Sequence, residues 1–507
     1  MHWINFFTRP ASIYFTSIFA GLLYPLAFAP FDWFPLAYLS VILLFICWQN
    51  LTPKQAFVSA WLFALSAFGL GVSWIFVAIH DFGNTTAAVA ILLVAIFVAF
   101  VSFVFALQAP IWLKFFLRFR LHSENFSDPL KVFSFASMWV LFEWLRGWVL
   151  NGFPWLNLGT SQIDSLFANW APVLGVYGVS WISIVIALFI YKVIFTRPFS
   201  RFMTASVVIV LAATFITATI NWTEAIDQPV KVSLVQGNAP QLTKWDAKKI
   251  KIRLDTYAQL TRENYDSDLI VWPENSLTNF YHRLADVYLD PLVKEARANN
   301  TDLIVGVPYM DLATKKYYSS LMSFSAMPGV YHKSHLVPFG EFMPLESLLR
   351  GVVGFFNLPM SSFSAGELDQ PLLHAAGQPL AASICFEDAF GAELIRQLPA
   401  ATILVNGSNN AWYGDSFAPH QHLQISRMRA LETGRMMMRA TTNGISAFID
   451  HRGKIKTQTE QFVTTVLTDT VQPRTGATPY VKWGNYPIII FSTLILLLAG
   501  LASRKTA

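Results

Sequence analysis

Long apolar runs separated by short polar connections occupy the first 221 residues. Each run contains roughly 17 to 26 residues, enough for a helix to cross a hydrocarbon layer about 30 Å thick. Seven runs lie in this part and an eighth near the end of the chain: 12–29, 33–49, 57–79, 86–109, 131–149, 171–196, 202–221 and 486–503. The pattern predicts a polytopic α-helical membrane protein with eight transmembrane helices. A cleaved signal peptide is the alternative for the first run, but its length and the second run that follows at once favour a retained anchor.

A different pattern fills residues 222–485, where short apolar segments alternate with amphipathic ones. The predicted strands are Val230–Gln236, Asp268–Trp272, Asp302–Pro308, Tyr317–Ser325, Leu380–Cys385 and Ala401–Val405, and the predicted helices are Lys248–Asn264, Leu284–Asn299 and His420–Arg439. Such alternation is typical of an α/β sandwich with buried strands. We therefore divide the chain into seven membrane helices (1–221), an inserted α/β domain (222–485), and an eighth helix with its tail (486–507).

The composition supports two environments in one chain. Only 13% of the residues are charged and 54% are hydrophobic, whereas an ordinary soluble protein has roughly 25% charged residues. Residues 1–221 contain ten Lys or Arg and six Asp or Glu. The net charge of +5 therefore comes from the membrane segment and the tail, and not from the inserted domain. This distribution argues against nucleic acid as a partner.

The positive residues lie in alternate connections between the predicted helices. They are Arg9, Lys54, Lys114, Arg118, Arg120, Lys131, Lys192, Arg197, Arg201, Arg504 and Lys505. The other connections, around Asp32, around Asp81 and across 150–170, contain no Lys or Arg. Because Lys and Arg accumulate in the cytoplasmic loops of membrane proteins, both termini are predicted to be cytoplasmic and the inserted domain to face the other side.

Cys385 is a candidate nucleophile. The chain has two cysteines, Cys47 and Cys385, which are too few for a disulfide framework. Cys385 ends an apolar strand and precedes a short helical run near 390–398, and the N–H groups and helix dipole at such a turn favour a thiolate. A buried structural cysteine is the alternative. A lone reduced cysteine outside the cytoplasm, in an oxidising compartment, favours the catalytic interpretation.

A carboxylate and an ammonium group lie beside other predicted strands. Glu274 follows a buried strand in Val-Trp-Pro-Glu-Asn, where desolvation could raise its pKa towards that of a general base; an ordinary surface glutamate fits the same position. Lys333 precedes the segment that runs to Glu341 and could stabilise a thiolate and an oxyanion. Taken alone, a solvated surface lysine is the more ordinary interpretation.

Taken together, the order Glu, Lys, Cys resembles the carbon–nitrogen hydrolase (nitrilase) superfamily. With eight helices around that domain, the whole chain resembles the apolipoprotein N-acyltransferase family. The motifs are GNAPQLTKWD with Trp245, VWPEN with Glu274, KSHLVPFGEFMPLE with Lys333 and Glu341, SICFED with Cys385 and Glu387, LVNGSNNAWYGDS and PHQHLQISRMRALETGR. One position departs from the family, which often has Tyr after the nucleophile where this chain has Phe386.

The resemblance implies a nitrilase-like αββα sandwich and a two-step acyl transfer without a cofactor or metal. Cys385 would take an acyl chain from a membrane phospholipid as a thioester, with Glu274 as base and Lys333 stabilising the oxyanion. The α-amine of a diacylglyceryl-cysteine on an apolipoprotein would then accept the chain. Glu341 and Glu387 would position the reacting groups, and Trp245 and Phe386 would support the site or the substrate. The implied location is the bacterial inner membrane, with the catalytic domain in the periplasm.

Two other functions fit part of the pattern. A membrane-tethered amidase or nitrilase acting on a soluble small molecule would need only one anchor, so eight helices count against it. A transporter or scaffold with an inactive nitrilase-like domain should carry several ionisable residues in its membrane helices. The predicted helices are nearly free of charge apart from Glu143 and Arg146, whose i, i+3 spacing permits either a functional site or a mutual structural pair.

Three further features have open interpretations. His420 and His422 could suggest a metal pair, but i, i+2 spacing does not place both on one helix face and no Cys/His set accompanies them. The apolar stretch 348–359 either packs into the core or forms a mobile lid towards lipid, and we favour the lid. A polar loop follows the strand that ends at 405 and either shapes the site or makes turns; it contains Asn406, Ser408, Asn409, Trp412 and Asp415.

Overall fold

The computed structural model describes residues 10–49, 51–83, 85–117, 124–195, 201–243, 246–338, 340–342 and 363–504. The chain divides into two compact units. The first comprises Met1–Phe76, Ala88–Asn221 and Lys482–Ala507, and the second comprises Val77–Ala87 and Trp222–Val481.

Helices precede the first strand of the chain. They are α1 (Pro10–Leu23), α2 (Pro35–Trp48), α3 (Pro53–Gly71), α4 (Ile75–His80), α5 (Ala87–Ala106), α6 (Gln108–Leu117), α7 (Glu124–Arg146), α8 (Leu158–Ser161), α9 (Ala171–Phe195) and α10 (Arg201–Thr219). Small side chains allow close packing among them: Ser17 of α1 and Ser59 of α3 share a 2.6 Å hydrogen bond, and a Cβ on Gly21 would lie 2.2 Å from Phe63 O. Such contacts are typical of helix pairs in membranes.

The length of the apolar helices bears on the prediction of eight crossings. Within the described ranges, two helical segments, Ala87–Lys114 and Leu166–Phe195, are long and apolar enough to cross a membrane. The bent pair Pro53–Gly71 and Ile75–Phe82, which turns by 59°, makes a third if it counts as one span. The shorter apolar helices are Ala11–Ala27, Pro35–Trp48, Met203–Thr219 and Tyr486–Leu501. Each predicted run overlaps one or two helices, but eight crossings remain a prediction.

Glu143 and Arg146, the charged pair of α7, both bind the connection that follows this helix. Glu143 Oε1 accepts hydrogen bonds from Leu158 N at 2.7 Å and from Trp139 Nε1 at 3.0 Å, and its Oε2 accepts from the Ser180 hydroxyl at 2.7 Å. The Arg146 guanidinium donates to the carbonyl oxygen of residue 155 and to the side chain of residue 157. Both charges are buried, and their partners favour a structural role over a transport site.

The second unit contains most of the strands. The helices from its start to the end of the chain are α11 (Ala247–Arg262), α12 (Tyr281–Leu284), α13 (Asp290–Ala298), α14 (Gly391–Leu394), α15 (Phe417–Thr433), α16 (Pro479–Trp483) and, in the first unit, α17 (Tyr486–Arg504). The strands are β1 (Glu224–Ala225), β2 (Val230–Gln236), β3 (Leu269–Val271), β4 (Asp302–Met310), β5 (Tyr317–Phe324), β6 (Gly329–His332), β7 (Leu373–Ala375), β8 (Gln378–Ile384), β9 (Ile403–Ser408), β10 (Met437–Thr441), β11 (Ala447–Ile449), β12 (Ile455–Gln458), β13 (Thr465–Val471) and β14 (Arg474–Thr475).

Two six-stranded sheets face each other in this unit. Their strand orders are β13-β2-β3-β4-β5-β6 and β12-β11-β10-β9-β8-β7. The inner strands β2, β3 and β4 run parallel, as do β8, β9 and β10, while the outer strands are antiparallel. Parallel strands are covered on both faces, which explains the continuous apolar runs in the sequence.

One core lies between the sheets and two lie outside them. Side chains of β2, such as Val232 and Leu234, meet Leu380 and Ile384 of β8 in the central core. Helices α11 and α13 cover the outer face of the first sheet, and α14 and α15 cover that of the second. The predicted αββα sandwich is thereby confirmed.

The predicted helix His420–Arg439 is wrong at its end. Helix α15 stops at Thr433 because Gly434 adopts a left-handed conformation with φ 64°, a common helix terminator. The chain then enters β10, so Arg439 is a buried strand residue rather than a helical one. The predicted helix Leu284–Asn299 also differs, since it begins as a π-helical turn over Ala285–Leu289.

Candidate active site

Glu274 lies just beyond the end of β3, buried against its neighbours. Its side chain is 4% exposed. Oε2 accepts a hydrogen bond from Asn409 N at 2.9 Å, and Oε1 faces Lys333 Nζ at 3.3 Å and the Ser319 hydroxyl at 3.4 Å. The surface-glutamate interpretation is therefore wrong, because this carboxylate is enclosed and oriented by three donors.

Lys333 follows the last residue of β6 and points into the same buried region. Its backbone N donates to Ser319 O at 2.8 Å, and its side chain is 1% exposed. Nζ donates to Glu341 Oε1 at 2.7 Å as well as to Glu274. Burial lowers the pKa of Lys333. The negative charges of Glu274 and Glu341 outweigh this effect and hold the pKa well above its usual value. Lys333 is thus a buried ammonium group and not a solvated surface lysine.

Cys385 occupies the turn directly after β8. Its φ of 55° is left-handed, a conformation that costs a non-glycine residue roughly 1–3 kcal/mol and is concentrated at functional sites. A 3-10 turn begins at Cys385 and leads into α14. The side chain is buried and is electrostatically coupled to Glu274 and Lys333. The three predicted catalytic residues therefore converge.

Burial opposes ionisation of the Cys385 thiol. Burial raises the pKa of Cys385 to about 12, and the negative charge of Glu274 adds to the rise, while Lys333 opposes it. The turn was expected to favour a thiolate, and burial of Cys385 acts in the opposite direction. A base must therefore remove the proton during attack, and Glu274 is the adjacent carboxylate.

Glu387 ties the turn of Cys385 to the segment that carries Lys333. Its Oε1 accepts hydrogen bonds from Ser334 N at 2.7 Å and His335 N at 3.0 Å. Its Oε2 accepts from Ile384 N at 2.6 Å and from the Tyr331 hydroxyl at 3.2 Å. With both oxygens engaged, Glu387 is suited to positioning and not to proton transfer.

The Phe386 ring lies beside the Lys333 ammonium group. The Phe386 ring centroid lies 5.9 Å from Lys333 Nζ, within the range of a cation–π contact.

His422 binds Asp388 at 2.8 Å, whereas His420 faces Gln461 at 3.2 Å, so the two histidines have separate environments. Across the described ranges, no three His, Cys, Asp or Glu side chains form a group suited to a metal ion. Trp245 and the stretch 348–359 lie outside the described residues.

Comparisons with known proteins match both parts of the chain. Residues 20–189 match the apolipoprotein N-acyltransferase N-terminal domain, and residues 231–480 match the carbon–nitrogen hydrolase family. The apolipoprotein N-acyltransferase of Methylococcus capsulatus is 43% identical over 92% of each chain. That of Nitrosomonas europaea is 41% identical over 94% of this chain and 96% of its own.

The chain belongs to the apolipoprotein N-acyltransferase family. Its members are acyltransferase enzymes, and the resemblance inferred from the motifs is confirmed. Among solved structures, a carbon–nitrogen hydrolase superfamily protein of Xanthomonas campestris aligns with 52% of this chain and 97% of its own, at 17% identity and a TM-score of 0.37.

Several residues of this acyltransferase site were missed from the sequence. Gly306 and Gly407 make room beside Glu274: a Cβ on Gly306 would lie 2.0 Å from Pro273 O, and one on Gly407 would lie 3.3 Å from Glu274 N. Tyr413, whose pKa burial raises, is electrostatically coupled to Cys385. A glycine inside an apolar strand was the available signal, since it often marks close approach of another backbone.

Proposed function

We propose that this protein transfers an acyl chain from a membrane phospholipid, through a thioester on Cys385, to the α-amine of an N-terminal diacylglyceryl-cysteine of an apolipoprotein. The observation that carries the proposal is the convergence of a buried carboxylate, ammonium and thiol in a member of this family. Glu274, Lys333 and Cys385 are the proposed catalytic residues.

In the first step, the Cys385 thiol gives its proton to Glu274 while Sγ attacks the ester carbonyl carbon of the phospholipid. Negative charge develops on the carbonyl oxygen, and the Lys333 ammonium stabilises it. The ester C–O bond then breaks, and protonated Glu274 returns the proton to the departing alcohol oxygen. The products are a lysophospholipid and an acyl-cysteine thioester.

In the second step, the α-amine of the lipoprotein attacks the thioester carbonyl carbon. Glu274 takes a proton from the attacking nitrogen, and the oxyanion again faces Lys333. The C–S bond breaks, the amide forms, and the proton on Glu274 returns to sulfur. Glu341 holds Lys333 and Glu387 holds the Cys385 turn throughout, and Trp245 is proposed to contact substrate.

The proposal places the reaction at the periplasmic face of the bacterial inner membrane, with eight crossings and both termini in the cytoplasm. It is supported by the alternation of Lys- and Arg-bearing connections and by the apolar helices that coincide with the predicted runs. The chemistry agrees, because both substrates are anchored by acyl chains and cannot reach a soluble enzyme through water. An amidase acting on a soluble molecule is not favoured, since nothing in that reaction requires the membrane helices.

The test uses the purified full chain incubated with a phospholipid that carries a labelled acyl chain. Intact mass measurement is expected to reveal one acyl adduct, which proteolysis assigns to Cys385 and which a diacylglyceryl-peptide with a free amine removes. Cys385→Ala should form no adduct, and Glu274→Gln should fold but fail to accumulate one. Acylation that persists in Cys385→Ala, or a wild type that no phospholipid acylates, would refute the mechanism.

A further inference from the structure

The backbone carbonyl of Cys385 receives two hydrogen bonds from buried side chains. Asn406 Nδ2 donates to it at 3.0 Å and His422 Nε2 at 3.2 Å. Both side chains are fully buried, at 0% and 1% exposure. The two donors come from β9 and α15, so two separate elements hold the peptide group that follows the strained nucleophile.

The tautomer of His422 follows from its partners. Asn410 Nδ2 faces His422 Nδ1 at 3.2 Å, so Nδ1 accepts and the proton resides on Nε2. That N–H is shared between the Cys385 carbonyl and Asp388 Oδ1, which lies at 2.8 Å. Burial and the charge of Arg439 lower the pKa of His422. These contacts favour a neutral imidazole whose Nε2–H is shared by Asp388 and the Cys385 carbonyl.

Arg439 orients the other donor. Its Nη1 donates to Asn406 Oδ1 at 2.8 Å, and the Ser408 hydroxyl donates to the same oxygen at 2.6 Å. The Asn406 amide N–H groups are thereby left to the Cys385 carbonyl and the Ser383 hydroxyl, each at 3.0 Å. The same guanidinium faces Asp388 Oδ2 at 3.4 Å, and the Ser426 hydroxyl donates to that oxygen at 2.5 Å. The negative charge of Asp388 and the positive charge of Arg439 thus compensate each other within this buried network.

Such a buried polar network is costly unless its groups are paired, and its contacts end on one backbone carbonyl. We propose that Asp388, His422 and Arg439 are positioning residues that hold Cys385 in its left-handed conformation, with the thiol directed at Glu274 and Lys333. The hydrogen bonds of this network end on the backbone carbonyl of Cys385, so the three residues act through the geometry of the nucleophile. The inference rests on the proposed function only for its lipid substrate, because a positioned thiol would also attack other acyl donors.

The test compares His422→Leu with His422→Gln in the full chain. The leucine variant loses the donor, while the glutamine amide can still reach the Cys385 carbonyl. Because displacing a reacting group by about 1 Å costs about 100-fold, His422→Leu is expected to slow acyl-adduct formation by about that factor at saturating phospholipid, with KM unchanged. His422→Gln should recover much of the loss. His420→Leu, two residues away on the same helix, is the matched control and should react like wild type.

A second substrate separates this inference from the proposed function. p-Nitrophenyl butyrate acylates a positioned cysteine without phospholipid or lipoprotein, and the burst of p-nitrophenolate reports the rate. If phospholipid does not acylate the wild type but the burst rate still depends on His422, the proposed function is refuted and the positioning role is retained. Equal burst rates in wild type and in folded His422→Leu, or no recovery by His422→Gln, would overturn the positioning role. Should His422→Leu fail to fold, Ser426→Ala is expected to slow the burst, and an unchanged rate would contradict us.

Discussion

Lys333 lies closer to Glu341 than to Glu274. Its Nζ donates to Glu341 Oε1 at 2.7 Å, whereas Glu274 Oε1 is 3.3 Å away. Burial raises the pKa of Glu341, and the ammonium opposes that rise. The ammonium is therefore tethered mainly by a residue that needs no part in proton transfer, which leaves Glu274 available as the base.

Replacing Glu341 by Gln tests this tether. Glu341 accepts from Lys333 through one oxygen and from Val337 N at 2.8 Å through the other, and an amide cannot accept at both ends. A charge-assisted hydrogen bond contributes about 1.5–3 kcal/mol, so adduct formation should slow by about 10- to 100-fold. Glu367→Gln, at an exposed carboxylate, serves as control. An unchanged rate in Glu341→Gln would mean that Glu274 alone holds Lys333.

The raised pKa of the Cys385 thiol predicts an unusual pH profile for alkylation. Only the thiolate reacts with iodoacetamide, so below a pKa of about 12 the rate should rise about tenfold per pH unit. In a Cys47→Ser background, labelling followed by mass spectrometry should show no plateau between about pH 7 and 10. A small peptide thiol levels off near its pKa of about 8.5 and is the reference. A plateau near pH 8 for Cys385 would contradict the desolvation argument.

Gly306 supports Glu274 by having no side chain. A Cβ there would lie 2.0 Å from Pro273 O and 2.8 Å from Glu274 Cα, and both atoms belong to the backbone. Gly306→Ala should destabilise the fold by about 1–3 kcal/mol, lower the thermal midpoint, and slow adduct formation by moving Glu274. Gly329→Ala is the control, since its nearest atom would be Leu373 Cδ2 at 3.5 Å. Equal melting of the two variants would refute the packing argument.

Phe386 tests whether the site needs an aromatic ring or a hydroxyl. The ring faces Lys333 Nζ, and a cation–π contact is worth about 0.5–2 kcal/mol. Phe386→Leu should therefore slow adduct formation by about 2- to 30-fold, while Phe386→Tyr, which keeps the ring, should stay near wild type. If leucine and tyrosine variants react equally fast, the ring contact contributes nothing to the reaction.

Glu143 is expected to matter for stability more than for chemistry. Glu143→Leu would leave three donors without an acceptor, from Trp139, Leu158 and Ser180, at about 1–3 kcal/mol each. Glu143→Gln keeps one oxygen and should be milder. Thermal unfolding of the purified chain ranks the stabilities of the two variants. Adduct formation per folded molecule should be equal in both. A stable Glu143→Leu protein with lost activity would favour a functional charge instead.

Much of the sandwich was predictable because its inner strands are long apolar runs. The boundaries of β2 were predicted without error, and those of β4 and β5 to within two residues. The strands β1, β6, β7 and β10 to β14 were missed. Of these, β10 follows α15 after a three-residue turn, and its residues Met437–Thr441 are compatible with helix. Pairing with β9 decides that segment, and such a long-range contact leaves no local pattern.

By itself, the sequence predicted the apolar helices and the α/β insertion, and its motifs indicated Glu274, Lys333, Cys385, Glu341 and Glu387 as candidate site residues, since periodicity and motifs are local properties of the chain. Only the tertiary structure decided that burial raises the pKa of the Cys385 thiol, that Lys333 is shared by two carboxylates, and that His422 contacts Asp388 and the backbone carbonyl of Cys385. These properties depend on burial and on distances between residues far apart in sequence. Desolvation and Coulomb interaction are set by the neighbours that folding brings together.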